Sequence, residues 1–182
     1  PPHEVAARVL ATAPRLGAVR LVVIDGPAGS GKTTYAAALS TALGGAPVIH
    51  MDDLYEGWNG LGPALFDRIE AQIFAPLRDG RAARYQRYDW RRSVFAEWID
   101  VPPPEVLVLE GVGAAAAPIE PWAALRVWVE APRELRFARG VQRDGEALRG
   151  HWLRWAELEA AHFAADGTRA RAEVIIDGTT PL

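Results

Sequence analysis

Apolar residues in this chain fall into short, β-branched runs separated by stretches of helical period. Val19 to Ile24 is a nearly continuous apolar run, the pattern of a strand covered on both faces. The Gly-rich segment from Asp25 to Gly31 follows and must be a loop, and the Ala-rich Thr33 to Leu43 then reads as a helix closed by Gly44 and Gly45. Val48 to Met51 reads as a second strand that runs straight into Asp52 and Asp53. Ala64 to Phe74 has helical periodicity, with Leu65, Ile69 and Phe74 on one face, and Arg78-Asp79-Gly80 is a turn signal. Tyr85 to Trp98 carries aromatics and arginines with no clear period, and Pro102 to Pro104 ends it. Regularity returns with strands at Val106 to Leu109 and Leu125 to Val129, and with a helix from Pro132 toward Arg143. A longer helix over Glu146 to Ala165, with Asp144 as its candidate cap, leads to a last strand at Val174 to Ile176, closed by Asp177-Gly178.

Strands alternating with helices predict an α/β fold: a five-stranded parallel sheet with helices on both faces. The chain has 182 residues, no internal repeat and no low-complexity linker, so one domain is expected. Within it, about 54–104 is expected to form an inserted substrate lobe and about 136–150 a lid.

Composition narrows the partners. A net charge of -3 makes the chain a poor general polyanion binder, so nucleic acid is not expected, and any phosphate site must be built locally. With no Cys there is neither a disulfide framework nor a Cys-based metal site. No apolar stretch is long enough to span a bilayer and no secretory signal is visible, so no membrane partner and a cytoplasmic location are expected. Of the 20 basic residues only one is a lysine, Lys32.

That lysine closes Gly26-Pro27-Ala28-Gly29-Ser30-Gly31-Lys32-Thr33, a full match to G-x-x-x-x-G-K-[ST]. Glycines let the backbone wrap a phosphate with its N–H groups turned inward, and the helix that follows offers its positive end to the same anion. Gly26 to Thr34 are therefore the candidate ATP-binding residues: Lys32 reaches the β- and γ-phosphates, and Thr33 offers its hydroxyl to Mg²⁺. The plainer reading, a Gly-rich turn with no ligand, does not explain why the pattern follows a strand and opens a helix. The motif places the chain among P-loop NTPases.

Two carboxylates stand where strands end, and in an open parallel sheet those ends line the ligand crevice. Asp52 could accept the proton of an incoming hydroxyl; the alternative is a helix cap or a solvated turn. Glu110 follows the third apolar run and could hold Mg²⁺; the alternative is a loop residue paired with an Arg.

These segments resemble the uridine kinase family. Met51-Asp52-Asp53-Leu54-Tyr55 is similar to its D-x-F-Y segment, Tyr88-Asp89-Trp90 to its Y-D-F, Glu110-Gly111 to its E-G, and Arg139 to Asp144 to its lid, all in the family's order. The resemblance implies a P-loop kinase with a five-stranded parallel core. It implies Asp52 as general base, Glu110 near Mg²⁺, Tyr55, Tyr88, Asp89 and Trp90 near the acceptor, and lid arginines, Arg139 and Arg143, folded over the triphosphate. Two departures bear on base specificity: Leu54 replaces the Phe, and no His follows Trp90. Ile24 to Lys32 also resembles the opening of bacterial cytidylate kinases, over the phosphate loop alone.

Arg136, Arg139 and Arg143 share one helical face and could cover a phosphoryl group; salt bridges to Glu134 or Asp144 are the alternative. Arg143 is the preferred catalytic one. Arg84, Arg87, Arg91 and Arg92 surround Tyr85, Tyr88 and Trp90, where they could grip a phosphorylated acceptor or form a surface patch. Trp58 and Trp90 are candidate pocket walls, while His50, His151 and His162 show no metal spacing and read as packing residues. The expected activity is transfer of the γ-phosphate of ATP to a hydroxyl of a small molecule, a uridine- or cytidine-like nucleoside being favoured. The alternatives are a cytidylate-like monophosphate kinase and a non-kinase P-loop ATPase. A guanine-reading N-K-x-D motif is excluded, since the only lysine is Lys32.

Overall fold

A computed structural model describes residues 1–181. In chain order its helices and strands are α1 (Pro2–Ala11), β1 (Arg20–Asp25), α2 (Lys32–Ala42), β2 (Val48–His50), α3 (Pro63–Ile69), α4 (Ala75–Arg78), β3 (Ala83–Asp89), β4 (Val94–Val101), β5 (Val106–Glu110), β6 (Ala123–Glu130), α5 (Arg133–Asp144), α6 (Arg149–Asp166) and β7 (Val174–Asp177). Five strands form one sheet in the order β2-β5-β1-β6-β7, and every pair in it is parallel.

Alternation along β1 divides the core. Val22 and Ile24 face α1 and α2, where they pack with Val9, Tyr35 and Leu39. Leu21 and Val23 face the other way, toward Ile69 and Phe74, and Trp155 of α6 joins that side. Both faces are thus covered, which is why β1 and β5 read as unbroken apolar runs. Parallel pairing also sends Asp25, His50 and Glu110 to the same edge of the sheet.

The structure departs from the sequence pattern in several places. The helix at 64–74 begins at Pro63 and continues to Arg78 through a π-turn over Glu70–Phe74. Pro76 has no N–H to give to the preceding turn, and the widened turn accommodates that loss. The unassigned segment after residue 80 is an antiparallel hairpin, β3 with β4, whose register shifts between Gln86 and Tyr88. The shift breaks the two-residue alternation that would have revealed a strand. α1 was not expected; it docks on β1 and α2 through Val5, Ala6 and Val9. Asp144 does not cap α6, which starts at Arg149 without a side-chain cap. Its carboxylate instead takes Arg143 and the Trp152 indole.

Candidate active site

The phosphate loop is a bent cradle between β1 and α2, and close packing leaves no room for a side chain at two of its glycines. A Cβ on Gly26 (φ +139) would lie 2.0 Å from the Val129 carbonyl oxygen, and one on Gly29 (φ +78) 2.4 Å from that of Arg136. Lys32, 7% exposed, folds back over the loop and donates to the Pro27 carbonyl at 2.9 Å. Burial lowers its pKa, opposed by the carboxylates of Glu110, Asp25, Glu159 and Asp52. The Ser30 hydroxyl is buried without a hydrogen-bond partner among the described residues. An unsatisfied hydroxyl inside a glycine cradle, beside a buried ammonium, fits a polyphosphate.

Adjacency of β1 and β5 brings the next groups in. Thr33 Oγ1 donates to Glu110 Oε1 at 3.1 Å, and Glu110 is 5% exposed. These oxygens are hard donors of the kind Mg²⁺ takes when phosphates complete its shell. His50 Nδ1 lies 2.5 Å from the same Glu110 oxygen, and that hydrogen bond raises the His50 pKa. The sequence reading assigned His50 to packing and left its place on Glu110 unseen.

Asp52 lies in a single 3-10 turn that follows β2. It is reached by solvent yet has protein packed around it. Desolvation is the main cause of its raised pKa; Glu110 adds to the rise, while Lys32 and Arg143 oppose it. Trp90 Nε1 donates to the Asp52 carbonyl at 2.8 Å, tying the hairpin to this turn. Tyr55 is buried and donates to the Val112 carbonyl at 2.5 Å, so its hydroxyl is occupied. Tyr88 packs edge-on to Trp90 and Phe95. Asp89 Oδ1 accepts the Arg91 and Arg92 amides at 2.9 and 3.0 Å, which commits that oxygen to the hairpin turn. Trp58 stacks on His151 of α6 with ring centroids 5.0 Å apart and meets Trp90, Trp152 and Trp155 edge-on.

Of the four arginines in α5, the three on one helical face, Arg136, Arg139 and Arg143, have separate partners. Arg136 donates to the Ala28 carbonyl and to Glu159, and Arg139 to the Gly29 and Gly178 carbonyls. Arg143 forks onto Asp144 at 2.8 and 2.9 Å, the salt-bridge alternative raised by the sequence. Arg139 and Thr34 also line a cavity of about 380 Å³ beside the loop, with Gly31, Tyr35, Gly178 and Pro181. In the hairpin, Arg84 pairs with Asp100 and Arg87 with Glu97 across the strands.

Two further carboxylates carried no signal in the sequence pattern. Asp25 is fully buried and accepts the amides of Gly26, Gly113 and Ala115 at 2.7, 3.0 and 2.9 Å. Glu159, on α6, accepts the Ala28 amide at 2.8 Å. Apart from Gly26, the neighbour of Asp25, their partners lie far away in the chain.

Among the described residues no helix is long and apolar enough to cross a membrane. Residues 60–156 match the family described as phosphoribulokinase / uridine kinase. The matched span lies wholly beyond the phosphate loop, so it is independent of that motif. A solved structure of a possible uridine kinase from Bacillus stearothermophilus shares the fold, with TM-score 0.68 and 22% identity over 97% of each chain. A candidate fructose transport system kinase from Silicibacter sp. TM1040 gives TM-score 0.66 at 22% identity, over 96% of this chain and 98% of that one. The inorganic pyrophosphatase TTM1 of Arabidopsis thaliana is 28% identical over 133 residues, 68% of this chain. This chain spans only 20% of that relative's length.

Proposed function

The chain belongs to the phosphoribulokinase / uridine kinase family, and from that premise we propose that it moves the γ-phosphate of ATP to a hydroxyl of a small molecule, a pyrimidine nucleoside being the favoured acceptor. The observation that carries the reading is the Thr33–Glu110 contact at 3.1 Å, at the same sheet edge as Lys32 and Asp52. One contact joins the helix that receives phosphate to the strand end that would hold the metal, with a candidate base facing both.

Lys32 and the loop amides hold the β- and γ-phosphates. Mg²⁺, held by Thr33 and Glu110, would supply neutralising charge to the phosphate oxygens. Asp52 takes the acceptor proton as the acceptor oxygen bonds to the γ-phosphorus and the bond to the ADP oxygen breaks. Its pKa, raised by burial and by Glu110, moves a carboxylate toward the working range of a general base. Arg143 is near enough to Asp52 to act on its charge, and released from Asp144 it could reach the transferred group. The ion pairs of Arg84 and Arg87 leave fewer free cations to clamp an acceptor phosphate, which favours a nucleoside over a monophosphate.

Asp52→Asn is expected to keep affinity for a non-hydrolysable ATP analogue within about twofold while lowering transfer by about 10²–10⁴-fold. Transfer from labelled ATP to a nucleoside panel, to cytidine against CMP, and phosphate release from pyrophosphate would be followed together. Wild-type transfer by the Asn variant would remove Asp52 from the mechanism. Transfer to CMP alone would select the monophosphate reading.

A further inference from the structure

The proposed reaction leaves a buried carboxylate unused. Glu159 sits on α6, far in sequence from the phosphate loop, and is 3% exposed. Its Oε2 accepts the Ala28 N–H at 2.8 Å, and its Oε1 accepts Arg136 Nη1 at 3.2 Å. The same Arg136 nitrogen also donates to the Ala28 carbonyl at 3.3 Å, and Arg136 Nε to the Ala131 carbonyl at 3.0 Å. Both polar atoms of Ala28 are therefore taken by an ion pair that itself joins α5 to α6. Next in the chain, the Gly29 carbonyl accepts Arg139 at 3.2 Å.

We infer that Glu159 is a positioning residue of the phosphate loop: together with Arg136 it clamps Ala28 and thereby aims the Gly29 amide at bound polyphosphate. In a planar trans peptide the carbonyl of one residue and the N–H of the next point in opposite directions. With the Ala28 oxygen drawn toward Arg136, the Gly29 N–H faces away from α5, and it donates to no carbonyl among the described residues. Donors fixed before the anion arrives cost no ordering when it binds. Arg136 and Arg139, two of the three arginines that could cover a phosphoryl group, here hold loop carbonyls, and Arg136 acts on phosphate through the backbone.

This rests on the phosphotransferase reading, and the test separates the two. Amide exchange at Ala28 would be measured by NMR, and affinity for a non-hydrolysable ATP analogue and for inorganic tripolyphosphate by calorimetry. The chains compared are wild type, Glu159→Gln, Arg136→Lys and the double variant. Glutamine preserves size but offers one acceptor where two donors wait. The expected result is faster Ala28 exchange and an affinity loss of about tenfold or more for both anions in each single variant. The double variant should lose less than the product of the two, because the residues act as one unit. A merely structural role would lower the melting temperature and leave anion affinity per folded molecule unchanged. Wild-type exchange or wild-type affinity in a folded Glu159→Gln chain would overturn the inference, and Arg136→Lys decides it should that chain not fold. A wild-type chain that binds tripolyphosphate but not the ATP analogue would sink the phosphotransferase reading while leaving the brace measurable. Failure to bind either would overturn both.

Discussion

At the scale of single residues, the carboxylates divide by what surrounds them. Asp25 accepts three backbone amides, which favour its ionised form, yet complete burial outweighs them and raises its pKa from an ordinary 3.8 to about 6. Between those values the folded chain holds a proton that the unfolded chain has lost, so the contribution of Asp25 to stability falls as pH rises. The shift corresponds to roughly 3 kcal/mol. Denaturant unfolding of wild type and Asp25→Asn at several pH values would check this. Wild type should lose up to about that much relative to the variant between pH 3.8 and about 6, with a constant difference above. A wild type that gains on the variant across this window would show that the amides outweigh burial. The sequence exposed Lys32, Thr33, Asp52 and Glu110 because a fixed spacing or a strand end marks each one. Asp25, His50 and Glu159 stayed hidden: their roles lie in contacts with residues remote in sequence, and no local spacing records them.

At the scale of elements, the core strands were legible because burial on both faces leaves a continuous apolar run, as in Val106 to Leu109. The β3–β4 hairpin was not, since it is partly exposed and its shifted register disrupts the alternation. Nor did the sequence show how tightly the turn after β7 presses on the phosphate loop. A Cβ at Gly178 would stand 1.8 Å from the Ser30 carbonyl oxygen, a backbone atom with no freedom to swing aside. Gly150, within α6, would place a Cβ no closer than 4.0 Å to the mobile end of Arg154. One substitution should therefore have opposite signs at the two sites. Gly178→Ala is expected to cost about 1–3 kcal/mol and to weaken binding of the ATP analogue. Gly150→Ala should stabilise by about 0.5–1 kcal/mol and leave binding alone. Thermal unfolding and calorimetry on both variants check the pair, and a harmless Gly178→Ala would mean the contact yields easily.

At the scale of the whole molecule, the cleft has two sides held by different means. The phosphate side is fixed by hydrogen bonds that join the loop to α5 and α6, and Arg139 of α5 also donates to the Gly178 carbonyl in the turn after β7. The side proposed for the acceptor is closed by aromatic packing: Trp58 lies between the 3-10 turn that carries it and α6, against His151, Trp152 and Trp155, and it meets Trp90 of the hairpin. Fixed dipoles suit a ligand whose charge pattern never changes, whereas rings in contact can slide apart and close again around a smaller guest. The two sides should then fail independently. Trp58→Ala removes the ring shared by all four aromatic contacts and is expected to cost about 2 kcal/mol in unfolding free energy. It should raise the KM of the acceptor by about tenfold, as when one well-packed anchor is lost, and change affinity for the ATP analogue by less than about twofold, because additivity holds for sites with no shared partners. Glu159→Gln should show the reverse, weak nucleotide binding with the acceptor KM preserved. If Trp58→Ala weakened nucleotide binding as much as Glu159→Gln does, the aromatic cluster would belong to the phosphate brace, and the cleft would move as one body.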